Sequence, residues 1–454
     1  MNRNPLAISL TVIGWLALAA AAGAAEKRTL TLEQCLELGL ANSKGLHASQ
    51  MAVEASAGKL REMKASRLPS LKFSANYTRL SEVPPFEVNL PFAAAPSGSS
   101  TFVVSPSYFN NTTLKLGFQQ PLFTGFRLQA SQAMAGLNTG ASEQDLSRDR
   151  NEAVFAIQSA YWSLVKARES RKVVDENVEQ VKAHLADVRS FFDQGLLTQN
   201  DVLKVEVQLS SVRLAQLDAR NAQQMAAVWL NNLIGAPLDQ DIEPAASNDI
   251  LAASALDTPE EWSSLEKLLV KAQQNRPELR AMDFRVRAGQ EGVKVAQAGW
   301  YPQVLLTGNY YSLRPNPRIL PAQDKFIDTW DVGLTVSFDI WNWNIAAHQT
   351  SQARAQLAQA ADALGQMKDA VAVEVRQSWL AFQQSKEKIG LAKLGVEQAA
   401  ENLRVTRDRF MEGVAINTEV LDAETALLQA RLSYTQALVD SELARARLRK
   451  AVGP

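Results

Sequence analysis

The sequence predicts a mostly α-helical chain of long helical hairpins that also carries four strands of a transmembrane β-barrel. Four strands are too few to close a barrel, so several chains must share one. Three observations predict this class. The chain repeats itself almost end to end after its N-terminus. Two stretches of more than a hundred residues contain no proline and are rich in helix formers. Four short segments alternate apolar and polar residues with a period of two.

The N-terminus comes first in chain order. Arg3 is a short basic region, Leu6 to Ala22 are apolar, and Ala22 and Ala24 are small residues placed for cleavage. This predicts a signal peptide over 1–24 and an exported chain. The alternative, a retained membrane anchor, needs a longer apolar run. The chain has 454 residues, with 47 basic and 48 acidic side chains and a formal charge of −1, which gives no electrostatic case for a nucleic-acid partner. Cys35 is the only cysteine, so no internal disulfide is expected. It sits inside the helical pattern "LTLEQCLELGLANS", which predicts a small buried helix residue and not a lipid attachment site.

The repeat is clearest in two segments. "FFDQGLLTQNDVLKVEVQLSSVRL" starts at Phe191 and "RFMEGVAINTEVLDAETALLQARL" at Arg409. An offset of 218 places Phe192 on Phe410, Gly195 on Gly413, Leu203 on Leu421 and Glu206 on Glu424, and it holds from about Pro121 to Gly235. Upstream the offset becomes 233, pairing "PSLKFSANYTRL" from Pro69 with "PQVLLTGNYYSL" from Pro302. The sequence is therefore read as a first repeat over 25–236, a linker over 237–262 and a second repeat over 263–454. A unit of this size is a duplicated domain and not a solenoid.

Each repeat reads helix, strand, loop, strand, long helix, turn, helix. The first helix is expected from about Leu32 to Arg67, the long one from about Gly125 to Phe192, and the last from about Asn200 to Leu233. The long helix would span about 100 Å at about 1.5 Å per residue. Val174, Val178, Val181, Leu185, Val188 and Phe192 step by four and three, a seam for a packed partner. The matching seam of Ala392, Val396, Ala399, Leu403, Thr406 and Phe410 is poorer in large residues.

Strands are expected near 69–80, 111–123, 302–313 and 329–341. In "WDVGLTVSFDIW", Trp330, Val332, Leu334, Val336, Phe338 and Ile340 alternate with Asp331, Gly333, Thr335, Ser337 and Asp339. Leu71, Phe73, Ala75 and Tyr77 alternate with Lys72, Ser74, Asn76 and Thr78. Strand length and alternation fit a membrane barrel, and periodicity alone does not fix how many chains share it. One such segment would also suit a soluble sheet with one wet face.

The duplicated order, the opening helix and the turns at Gly195 and Gly413 together resemble the TolC-type outer-membrane efflux duct family, along nearly the whole mature chain. The resemblance implies a homotrimer, a 12-stranded barrel in outer-membrane lipid with four strands from each chain, and a helical tunnel reaching through the periplasm. It implies two further partners, a periplasmic adaptor (membrane fusion) protein and an inner-membrane transporter of the RND or ABC type. The helix-turn tips, Gly195 with Leu196 and Gly413 with Val414, become the expected adaptor-docking positions. The periplasmic gate and lumen are expected at Glu419, Asp422, Asp201 and Phe410. For Asp201 the competing reading is a helix cap, and for Glu419 and Asp422 an ordinary acidic first turn. In the family's best-known form a Tyr and an Arg near the second turn hold the mouth shut by polar links. Phe410 and Ala415 stand at those places here and can make neither link.

No catalytic constellation is visible, and no enzyme activity, cofactor or metal site is expected. His47, His184 and His348 are scattered and read as surface or packing residues. Two alternatives compete with a duct: a soluble periplasmic coiled-coil or adaptor protein, and an exported enzyme.

Overall fold

A computed structural model of the chain describes residues 28–89, 101–105, 107–248, 251, 262 and 264–453. The expected signal peptide lies outside the described residues. The elements run β1 (Arg28–Leu30), α1 (Leu32–Asn42), α2 (Lys44–Ala65), β2 (Ser70–Arg79), β3 (Phe86–Asn89), β4 (Thr101–Ser105), β5 (Asn110–Thr124), α3 (Arg127–Asp193) and α4 (Gln199–Ile234). Then follow β6 (Ile242–Pro244), α5 (Leu265–Asn275), α6 (Pro277–Gln297), β7 (Gln303–Arg314), β8 (Ile327–Ser337), α7 (Ile345–Met411) and α8 (Asn417–Val452). The mostly helical class with a four-stranded sheet is borne out. The long helices α3 and α7 have 67 residues each, and α4 and α8 have 36 each.

The first expected helix is two helices. Residue Ser43 breaks it, its Oγ accepting from the backbone N–H of Leu46 at 3.2 Å as an N-cap. The second repeat breaks at the matching place by other means. There α5 stops at Asn275, and α6 restarts with Pro277 in its first turn, where a missing N–H costs nothing.

The chain divides into two compact units. One comprises 40–158, 252–395 and 440–454 and holds the sheet in the order β2-β5-β7-β8, all antiparallel. The register sorts side chains into rows. Leu71, Phe118, Gly308 and Val332 lie side by side, and so do Phe73, Leu116, Tyr310 and Trp330. The interleaved row is Lys72, Gly117, Asn309 and Asp331. Period-two alternation on four strands in matched register thus makes one apolar and one polar face. The apolar face is solvent-accessible in the single chain, with Trp330 70% and Val332 67% exposed. Strands β2 and β8 are its edges. The extra length of the first repeat's loop carries the β3–β4 hairpin.

The last strand ends at Ser337, short of the expected 341. Its partner β7 begins at Gln303, which pairs with Ser337, so Phe338 and Ile340 have no ladder to join within the chain. They continue instead into an exposed run with Trp341 and Trp343, whose rings stand edge to face at 5.7 Å.

Helical packing in this unit centres on Trp262, Leu268, Leu279, Val375, Phe382 and Leu448. The Trp262 ring meets Phe382 edge to face at 5.3 Å, and its carbonyl accepts from Trp379 Nε1 at 3.0 Å. Beside this core Arg276 is buried. Its guanidinium is ion-paired to Glu278 and Glu374 and also donates to the Ala451 carbonyl. A buried guanidinium with all these partners fixes the α5–α6 junction against the end of α8.

The other unit comprises the described residues of 1–39 with 159–251 and 396–439. Here β1 and β6 pair in parallel. Buried Tyr161 ties them to α3, its hydroxyl donating to the Leu30 carbonyl and accepting from the Ala246 N–H. Cys35 is fully buried, as its place in the helical pattern predicts.

Candidate functional site

The two turns that carry the predicted tip residues lie in this second unit and are built alike. After α3, Gly195 takes a left-handed backbone (φ 77°), its N–H bonding the Phe192 carbonyl and that of Leu196 the Phe191 carbonyl. After α7, Gly413 (φ 72°) bonds Phe410, and Val414 bonds Arg409. Both are Schellman closures, which satisfy the last carbonyls of a helix. A Cβ at either glycine would meet no atom within 4 Å, so it is the positive φ and not crowding that selects glycine.

The helices leaving the turns start differently. Ahead of α4, Thr198 donates its N–H (3.2 Å) and its hydroxyl (2.6 Å) to the Asp201 carboxylate. These bonds hold the Asp201 carboxyl below its ordinary range. Asp201 is therefore engaged as a cap, the bland alternative for this position. The residue matching Thr198 in the second repeat is Ile416, which has no hydroxyl to give. Glu419 accordingly lacks that partner. It is exposed, as is Asp422 one turn later on the same side of α8.

Leu196, Val414 and Ile416 are exposed apolar residues at the tips, each more than 60% accessible. Leu196 and Ile416, with Phe191, Leu197 and Met411, line a groove of about 500 Å³ between the turns. Phe410 lies at the floor of this groove. It is 4% exposed, stacked edge-on against His184 at 5.3 Å and tilted on Phe191 at 5.6 Å. The ring is thus packed into the helical core and presents only its edge to the groove. Ala415 is buried as well.

The core beneath the tips joins all four helices through Val178, Val181 and Val188 of α3, Val205 and Leu209 of α4, Phe410 of α7 and Val420 of α8. One member of the predicted α3 seam differs. Phe192 is half-exposed, and Phe191 takes the inner position where the helix closes.

Sequence reasoning missed a buried polar layer in this core. His184, on α3, is 2% exposed and bonds Asn417 Oδ1 at 2.7 Å. The Asn417 amide donates from Nδ2 to the Asp201 carbonyl at 3.0 Å. That bond turns Oδ1 toward the imidazole, so His184 Nε2 carries the proton and donates it. Burial pushes the His184 pKa below its ordinary value despite this bond. Glu424 and Asn177 are also buried, each with an unpartnered side-chain oxygen. The one signal in the sequence was the match of Glu424 to Glu206, which does not predict burial.

The family profile described as Outer membrane efflux protein matches residues 35–236 and 268–454. The chain belongs to the outer membrane efflux protein family. Outer membrane efflux protein BepC of Brucella suis is 22% identical over 351 residues, 77% of this chain and 74% of that one. The alkaline protease secretion protein AprF of Pseudomonas aeruginosa is 23% identical over 347 residues, 74% of this chain and 69% of its own length. Among solved structures, the outer membrane protein VceC of Vibrio cholerae shares the fold with a TM-score of 0.74, at 19% identity over 93% of this chain and 96% of that one. The chain is thus an outer-membrane channel component of the efflux and secretion type, and the soluble periplasmic alternative falls away.

Proposed function

We propose that this chain is one of three identical subunits of a passive duct, each giving four strands to a 12-stranded barrel. The observation that carries this reading is the sheet: one face apolar, one polar, and edges at β2 and β8 with no strand partner among the described residues. In lipid an open edge leaves backbone donors and acceptors unsatisfied, so the β8 edge of one chain must pair with the β2 edge of the next. The apolar face meets outer-membrane lipid and the polar face lines the lumen. The hairpins form the periplasmic tunnel. A periplasmic adaptor grips the tips at Gly195, Leu196, Gly413 and Val414, and an inner-membrane RND or ABC transporter supplies the energy. The duct itself catalyses nothing. The exposed carboxylates of Glu419 and Asp422 face the lumen near its periplasmic mouth.

Native mass spectrometry of the protein extracted from outer membranes in detergent tests this reading. A mass three times that of a chain cleaved near Ala24 is expected. A monomer that stays soluble without detergent overturns the shared barrel.

A further inference from the structure

The short His184–Asn417 contact sets the register between α3 and α8 beneath the tips, and a second contact gives their relative direction. His184 bonds Asn417, and further along the same pair the long Arg431 side chain reaches Glu176 at 3.0 Å. The helices are antiparallel, since the α3 number falls as the α8 number rises. Seven residues are two turns. Counting two turns from each member of the His184–Asn417 pair arrives at Asn177 on α3 and Glu424 on α8. Both are 4% exposed, and in both an inward oxygen, Asn177 Oδ1 and Glu424 Oε2, takes no hydrogen bond from the protein. Two facing acceptors repel. Adding one proton to the carboxyl makes one of them a donor and satisfies both.

We propose that Glu424 is a proton-binding site of the helical hairpins: protonated, it donates its hydroxyl to Asn177 Oδ1 and closes the α3–α8 layer, and ionised, it loosens that layer.

The surroundings suit this assignment. Burial pushes the Glu424 pKa up to about 7, against a weaker opposing pull from Arg407 on α7. That guanidinium is ion-paired to Asp187 of α3 at 2.9 Å. The other charged groups near this layer are engaged too: Glu176 with Arg431, and Glu206 of α4 with Arg189. On α4 the side chain at this level is neutral, Gln208, bonded to Thr425 of α8. The remaining titratable group is His184, buried and held neutral by its surroundings.

The two groups act in opposite directions. Glu424 has a raised pKa in the folded state, so its support for the closed layer is complete below about 4.5 and is lost as pH rises toward about 7. His184 has a lowered pKa, so its contribution grows with pH up to its ordinary value of about 6.5. Comparison with Glu424→Gln cancels the histidine, because the amide keeps the shape and the donor but cannot ionise. The assignment is independent of the duct reading: a trimer with a silent Glu424 refutes only this proposal.

The test is hydrogen exchange of the full-length protein in detergent at pH 6 and pH 8, corrected for intrinsic exchange, over peptides covering 172–188 and 417–430. Wild-type protection relative to Glu424→Gln is expected to fall about tenfold between the two pH values, as linkage gives for a group moving from about 4.5 when open to about 7 when closed. A ratio that does not change with pH overturns the proposal. Infrared difference spectra give a second reading. A carboxylic-acid band should titrate near neutrality, be absent in Glu424→Gln, and shift to the frequency of a free acid in Asn177→Leu. No such band at pH 6 overturns the proton site, and a band unmoved in Asn177→Leu overturns the assigned partner.

Discussion

Single residues divide into those chosen for backbone shape and those chosen for what they touch, and Gly413 isolates the first kind. Its φ of 72° lies in the left-handed region, and the space around it is open. Gly413→Ala should therefore cost only the conformational strain of about 1–2 kcal/mol, with no steric component. The thermal midpoint of the detergent-solubilised protein checks this, and a loss as large as that of a core deletion would mean the turn is packed against something. The two closures were legible in the sequence because only glycine suits a Schellman closure so readily. Phe410 shows the opposite case. The repeat aligned it with Phe192, yet one is buried and the other half-exposed. Position in an alignment fixes the turn of the helix but not the rotation that decides whether a ring points in or out.

At the scale of the element, helix length and strand alternation were legible because each is a local periodicity. The absence of proline between Pro121 and Pro237 allowed the 67-residue α3. The break at Ser43 was less visible, since a serine inside a helical pattern becomes a cap only when the chain turns there. The early end of β8 was not visible at all, because a strand lasts only as long as its neighbour, and β7 starts at Gln303. A substitution at Val181 probes the long helix. This side chain is fully buried against the seam. Proline there would remove one backbone bond and clash with the preceding turn, at a cost of about 3 kcal/mol or more. Val181→Pro should abolish assembly of the duct and export through it, read as loss of oligomer on a native gel. Retained assembly with wild-type helicity by circular dichroism would count against a continuous α3.

At the scale of the whole molecule, the proposed duct rests on surfaces that a single chain leaves open: two sheet edges, an apolar sheet face, and exposed carboxylates on α8. The sequence exposed the first two, because alternation and strand number imply them. It could not separate a luminal carboxylate from a helix cap, since both are acidic residues in a first turn. In the structure the two repeats differ in the partner offered to this carboxylate. Asp201 is bonded to Thr198, whereas Ile416 leaves Glu419 without the equivalent donor. If three chains bring Glu419 and Asp422 to one axis, six carboxylates converge there. Their mutual repulsion and their pull on cations would favour cation passage. Glu419→Ala combined with Asp422→Ala should then lower the cation preference of the channel in planar-bilayer recordings while leaving folding intact, because neither residue is buried. The loss should be largest at low ionic strength, where the Debye length is longest, and should shrink as salt screens the ring. A reversal potential identical to wild type at low salt would place both carboxylates outside the conduction path and leave them as solvated first-turn charges favoured by the α8 dipole.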